Sequence, residues 1–148
     1  MENEPNLEKP QCLKSAVSSV GAFLILAIVQ NLISVYIFND AGKEELIIPT
    51  IGGLFLALVL WGYVLNGLRK VNKTALTVGR VFGVIAVIGL VINIFASFGG
   101  GSGFSFSNRS SGGLIVVQGA VAIIQLVVMI MFLINAFNSE MERHFSQK

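Results

Sequence analysis

Four long apolar runs separated by short polar segments set the pattern of this chain, over about Ala16 to Phe38, Ile47 to Leu68, Ala75 to Phe98 and Leu114 to Phe137. A helix needs about 20 predominantly apolar residues to cross a hydrocarbon core of about 30 Å. Each run reaches that length, none contains Asp, Glu or Lys, and Arg80 is the one ionised side chain inside them. Membrane barrel strands alternate apolar and polar residues over about 10 positions, whereas these runs are continuous. The first also exceeds the apolar core of a cleaved signal, about 7–15 residues, and is read as a retained span. The pattern predicts an all-α polytopic membrane protein, an antiparallel four-helix transmembrane bundle over residues 16–137, with polar tails at 1–15 and 138–148.

The connections shape this picture further. Asn39 to Glu45 reads as a short acidic turn, followed by Pro49 in the first turn of the second helix, where its missing N–H costs nothing. Arg69 to Thr74 is a tight basic turn. Links this short force consecutive spans to be antiparallel neighbours. Gly99 to Gly113 is a Gly/Ser linker by composition, with Phe104 and Phe106 alternating with serines and a glycosylation-type triplet at Asn108-Arg109-Ser110.

Orientation follows from the basic residues. Lys9, Lys14, Arg69, Lys70, Lys73, Arg80, Arg143 and Lys148 fall on one side, against Lys43 and Arg109 on the other. Basic residues are retained in the cytoplasm, so both ends are expected inside, in a cell (plasma or inner) membrane.

Composition agrees. Of 148 residues, 54% are hydrophobic and 12% charged, and the mean hydropathy is +0.79. Soluble domains carry about 25% charged residues, so lipid is the expected partner of the apolar surface. The net charge of +2, with no basic stripe, argues against a nucleic-acid partner. The single Cys12 allows no internal disulfide or Cys-based metal site; juxtamembrane palmitoylation there is the lesser alternative to a plain thiol.

Burying Leu gives little association energy in lipid, so close approach at small residues and amide hydrogen bonds must hold the helices together. Ala75, Gly79 and Gly83 form a small-residue strip at four-residue spacing in the third span, Gly53 and Ala57 in the second, and Ser18 and Ala22 in the first. At about 1.5 Å of rise per residue, Gln30, Asn31, Asn93 and Gln118 fall in the outer half and Gln125 near the centre. These five amides are read as interhelical glue, with an outward-facing polar pocket as the alternative. Arg80 is read as an interfacial anchor that snorkels to the headgroups, with pairing to Glu140 or Glu142 as the alternative. Trp61, Tyr63, Phe132 and Phe137 on the inner side, with Tyr36, Phe38, Phe95 and Phe98 on the outer, suit interfacial belts.

Chemistry is sparse. No span holds an acidic residue or histidine, which argues against ion coupling through titrating groups. Glu140 and His144 share a helix spacing, but a closed metal site needs about four ligands. The Gly-rich loop lacks the Lys-Ser/Thr ending and preceding strand of a P-loop. No enzymatic activity and no cofactor are expected.

Lys9-Pro10 leading into the first span, the basic turn Leu68-Arg69-Lys70-Val71-Asn72-Lys73-Thr74-Ala75 before Gly79-Arg80-Val81, and the glutamine-bearing last span ending near Phe137 carry a resemblance. Together they resemble small bacterial four-span membrane proteins of no known activity. Val71 and Thr74 stand where those relatives carry Gly and Trp. The resemblance implies a bacterial inner membrane and brings no site residues. The expected role is a non-enzymatic accessory, scaffold or immunity-type protein acting through membrane partners or a homo-oligomer; the alternative is a small channel or solute facilitator using the amides.

Overall fold

The computed structural model describes residues 10–40, 42–98 and 112–146. Helix α1 spans Gln11–Asp40, α2 Ile47–Arg69, α3 Lys73–Phe98, α4 Gly112–Ala136 and α5 Ser139–Ser146, with a 3-10 turn at Glu44–Leu46 before α2. No strand occurs among the described residues. The first four helices are each long and apolar enough to cross a membrane.

These four helices form a ring in which α1 packs on α2 and α4, and α3 packs on α2 and α4. Paired positions show that neighbours are antiparallel. Ser15 meets Asn135 while Ser34 meets Gln118, and Arg80 meets Ala136 at the near end, where the first and last described residues lie. The far end carries the 3-10 turn, the end of α3 and the start of α4, whose connection comprises residues 99–111. Phe104, Phe106 and the Asn108 triplet of that connection lie outside the described residues.

The helix starts differ from the apolar runs for a simple reason. Water and headgroups end a span, but they do not end a helix. At the chain's start α1 runs five residues beyond Ala16, with the Pro10 carbonyl accepting from Leu13 N–H at 2.9 Å, and Cys12 and Leu13 are buried against the bundle. At the other end, the expected polar tail from 138 onward contains α5. There Asn138 Oδ1 accepts from Glu140 N–H at 2.9 Å as an N-cap. Met141 and Phe145, four residues apart and so on one face, are buried at 0% and 4% exposure.

The core is aromatic near the α2–α3 turn. Trp61 packs between Phe23, at 5.2 Å between ring centroids, and Phe132, edge-on at 5.8 Å. Trp61 and Phe132 are buried and so do not belong to the inner aromatic belt, whereas Tyr63 and Phe137 are exposed. An aromatic near a span's end serves equally as headgroup anchor or core filler, and the rotation of its helix decides which.

Small residues set how close the helices come. Ala75 is fully buried, and a Cβ added at Gly67 of α2 would overlap its methyl group. A Cβ at Gly79 would lie 2.9 Å from Val64 and 3.0 Å from Phe132, and one at Gly83 would lie 2.7 Å from Leu133. Ala57 is half-buried against the core. Gly53 differs from expectation: it is exposed, and a Cβ there meets nothing within 4 Å among the described residues. Ser18 is likewise exposed.

The α2–α3 turn closes as a Schellman motif, with Asn72 N–H donating to Gly67 O at 2.8 Å and Val71 N–H to Leu68 O at 3.2 Å. Its left-handed position is held by Val71, at φ +54°, the one non-glycine residue with positive φ among those described. A β-branched residue is strained there by about 1–2 kcal/mol, offset in part by its packing on the core. Val71→Gly is therefore expected to raise stability by about 0.5–1 kcal/mol, read as a higher midpoint in detergent unfolding.

Candidate functional site

Among the described residues, the five span amides make different contacts. Gln118 Nε2 of α4 donates to Ser34 Oγ of α1 at 3.0 Å, and that hydroxyl donates on to the main-chain carbonyl of Gln30 at 3.0 Å. Asn31 Nδ2 turns back to its own helix, donating to Ala27 O at 2.8 Å. Asn93 is half-buried and engaged. Gln125 is 1% exposed, and its Oε1 has no hydrogen-bond donor among the described residues. Such an unmet acceptor costs about 1–3 kcal/mol. Two turns nearer along α4, Phe132 is fully buried.

Sequence reasoning missed the partners of these amides. Serines close the α1–α4 seam at both ends, because Asn135 Nδ2 donates to Ser15 Oγ at 3.1 Å as well as to Met131 O at 2.7 Å. Along α1 the two serine staples stand about 28 Å apart by helical rise. Serine is common on membrane helices, so only the facing amide reveals the role.

The near end gathers the charge. Arg80 projects from α3 to the end of α4, donating from Nε at 2.9 Å and Nη2 at 2.7 Å to the Ala136 carbonyl. The guanidinium also stacks 5.0 Å from the Phe137 ring centroid, and Nη1 stands 3.6 Å from Glu142 Oε1 of α5. A cation is favoured there because the last carbonyls of a helix have no intrahelical donor and carry partial negative charge. With its side chain 19% exposed, Arg80 is a latch joining α3, α4 and α5. Of the two acidic residues considered as its partner, Glu142 is the one within ion-pair distance.

Beside this latch, α1, α4 and α5 enclose an open groove lined by Cys12, Lys14, Ser15, Ser18, Asn135 and Glu140, among others. Cys12 itself is only 5% exposed. No group of three or more His, Cys, Asp or Glu side chains able to hold a metal occurs among the described residues.

A different surface marks the far half of α2. Ile48, Gly52, Phe55, Leu56 and Val59 follow at three- and four-residue spacing and are all exposed. A Cβ at Gly52, as at Gly53, meets nothing within 4 Å. By contrast, a Cβ at Gly67, Gly79 or Gly83 would meet side chains of this chain, whereas Gly21, Gly62, Gly89 and Gly113 are open like Gly52 and Gly53.

Comparison with protein-family models, with characterised proteins and with solved structures finds no match for this chain.

The latch carries a prediction. Arg80→Met removes two charge-assisted bonds and is expected to cost about 2 kcal/mol, with faster hydrogen exchange in α5. Glu142 is 65% exposed, so Glu142→Gln is expected to change stability by no more than about 0.5 kcal/mol. Unfolding of both variants in the same detergent checks the ranking.

Proposed function

We propose that this chain is a multi-pass protein of a cell (plasma or inner) membrane, with both ends cytoplasmic, that works as a non-enzymatic accessory, scaffold or immunity-type protein. Its surface supports membrane residence: Ile25, Leu32, Ile48, Phe55, Leu56, Ile92, Phe95 and Ile134 are each more than 60% exposed, and apolar patches of this extent are unstable against water. Six of the described basic residues sit at the near end and Lys43 at the far end, which supports a cytoplasmic near end.

The observation that carries the role is the open glycine face of α2. Where lipid surrounds a helix, close backbone approach at small residues drives association. Three glycines of this chain are already filled from within, while Gly52 and Gly53 stand unfilled side by side in an exposed apolar face, where α3 offers the single open Gly89. The fitting partner is a transmembrane helix of another protein or of a second copy.

Cross-linking under native expression, followed by purification in mild detergent, tests this. The wild-type chain is expected to bring down a membrane partner or itself. Gly52→Leu with Gly53→Leu is expected to cut that capture about tenfold while leaving folding intact, because the added side chains meet open space. Gly83→Leu, by contrast, is expected to lose about 1–3 kcal/mol of stability through overpacking. Recovery of single copies of this chain alone from the wild type would overturn the proposal.

The second reading is a small channel or solute facilitator, favoured by the unpartnered buried Gln125 Oε1. Its test is flux through proteoliposomes across a panel of ions and small solutes. We expect no leak above empty vesicles, and we expect Gln125→Leu to raise stability by about 1 kcal/mol. A flux that Gln125→Leu alters with assembly intact would favour the channel.

A further inference from the structure

The groove at the near end has an unusual charge layout. Lys14 on α1 and Glu140 on α5 line it together, both are exposed, and neither side chain has an ion-pair partner among the described residues. Opposite charges facing one groove without joining suit a ligand that carries both signs. The remaining lining, including Ser15, Ser18 and Asn138, offers hydroxyl and amide groups to phosphate oxygens. At about 670 Å³, the groove lies within the small-ligand range of about 300–1,000 Å³.

Position decides what kind of zwitterion fits. Lys14 precedes the apolar run that begins at Ala16, so the charged end of the groove falls at headgroup level if the bundle spans a bilayer as proposed above. From Ser18 the same face of α1 continues through Ala22 to Ile25, and from Asn135 the same face of α4 continues through Met131 to Ile124. Ile25, Met131 and Ile124 are 65%, 49% and 51% exposed. A polar groove opening onto an exposed apolar seam matches a molecule with a polar head and long apolar tails. A net-anionic headgroup would be opposed by Glu140, and a quaternary ammonium has no N–H to donate to it.

We infer that the groove between α1, α4 and α5 binds a lipid with a phosphoethanolamine headgroup, with Lys14 on the phosphate and Glu140 on the primary ammonium. The inference rests on membrane residence but not on the helix-contact role.

The test is lipid retention by the full chain in nanodiscs holding equal parts of phosphatidylethanolamine, phosphatidylcholine and phosphatidylglycerol with identical acyl chains, read by native mass spectrometry. Incorporation into the discs is scored first, so a failure of membrane residence reads separately from a failure of lipid choice. Retention of the ethanolamine lipid is expected to exceed each of the others by about fivefold. Lys14→Gln and Glu140→Gln should each abolish that preference, while Lys14→Arg and Glu140→Asp keep most of it. Lys70→Gln removes the same charge from the same end outside the groove and should leave the preference unchanged. Soluble glycerophosphoethanolamine is expected not to displace the lipid, since it lacks the tails that lie along the seam. Equal retention of the three lipids, preference for the glycerol lipid, an equal effect of Lys70→Gln, or displacement by the soluble headgroup would each overturn the inference.

Discussion

The approach of α3 to its neighbours at Ala75, Gly79 and Gly83 is the constraint on which the rest of the bundle depends. With no Cβ at the two glycines, Phe132 and Leu133 of α4 and Val64 of α2 reach close to the α3 backbone. Phe132 then stands edge-on to Trp61, which in turn meets Phe23 of α1. All four long helices are thus tied through one aromatic cluster near the α2–α3 turn. The hydrophobic effect cannot do this work in lipid, because an apolar helix face is as well solvated outside the bundle as inside it. Contact geometry and dispersion between closely fitted atoms take over that role.

The same geometry brings Arg80 to the end of α4. It lies one residue beyond Gly79 on a helix drawn close to α4, so its guanidinium reaches the Ala136 carbonyl and the Phe137 ring. A cation largely withdrawn from solvent is met by a helix terminus that needs donors. The segment after α4 then turns back as α5 and lays Met141 and Phe145 against the near end of the bundle. The near end is therefore built from three elements, and the groove beside Lys14 and Glu140 exists only because α5 closes one side of it.

The far half is built differently. There α1 and α4 are joined by the Gln118–Ser34 bond, while α2 presents a broad exposed face with unfilled glycines. Tight packing at one end thus stands against an open helix face at the other.

Much of this was legible in the residues themselves. Continuous apolar runs specify four long helices, and short links make consecutive ones antiparallel. The strip Ala75, Gly79 and Gly83 stands out by its four-residue spacing, and it lies at the centre of the packing. Other features escaped because their meaning is relational. Gly53 looks like Gly79 in sequence, yet one is exposed and the other is filled by Val64 and Phe132. Trp61 and Phe132 resemble headgroup anchors and are core. Ser15 and Ser34 are unremarkable until Asn135 and Gln118 stand opposite them. Met141 and Phe145 are two apolar positions in a charged segment until a bundle end receives them. The sequence alone determined that the chain forms helices of membrane length, because backbone hydrogen bonding and apolar composition act locally. Apart from the small-residue strip of α3, which side of a helix faces inward was decided only by the tertiary structure, because helices that are apolar all round carry no hydrophobic preference for one face and only side-chain fit against a neighbour chooses it.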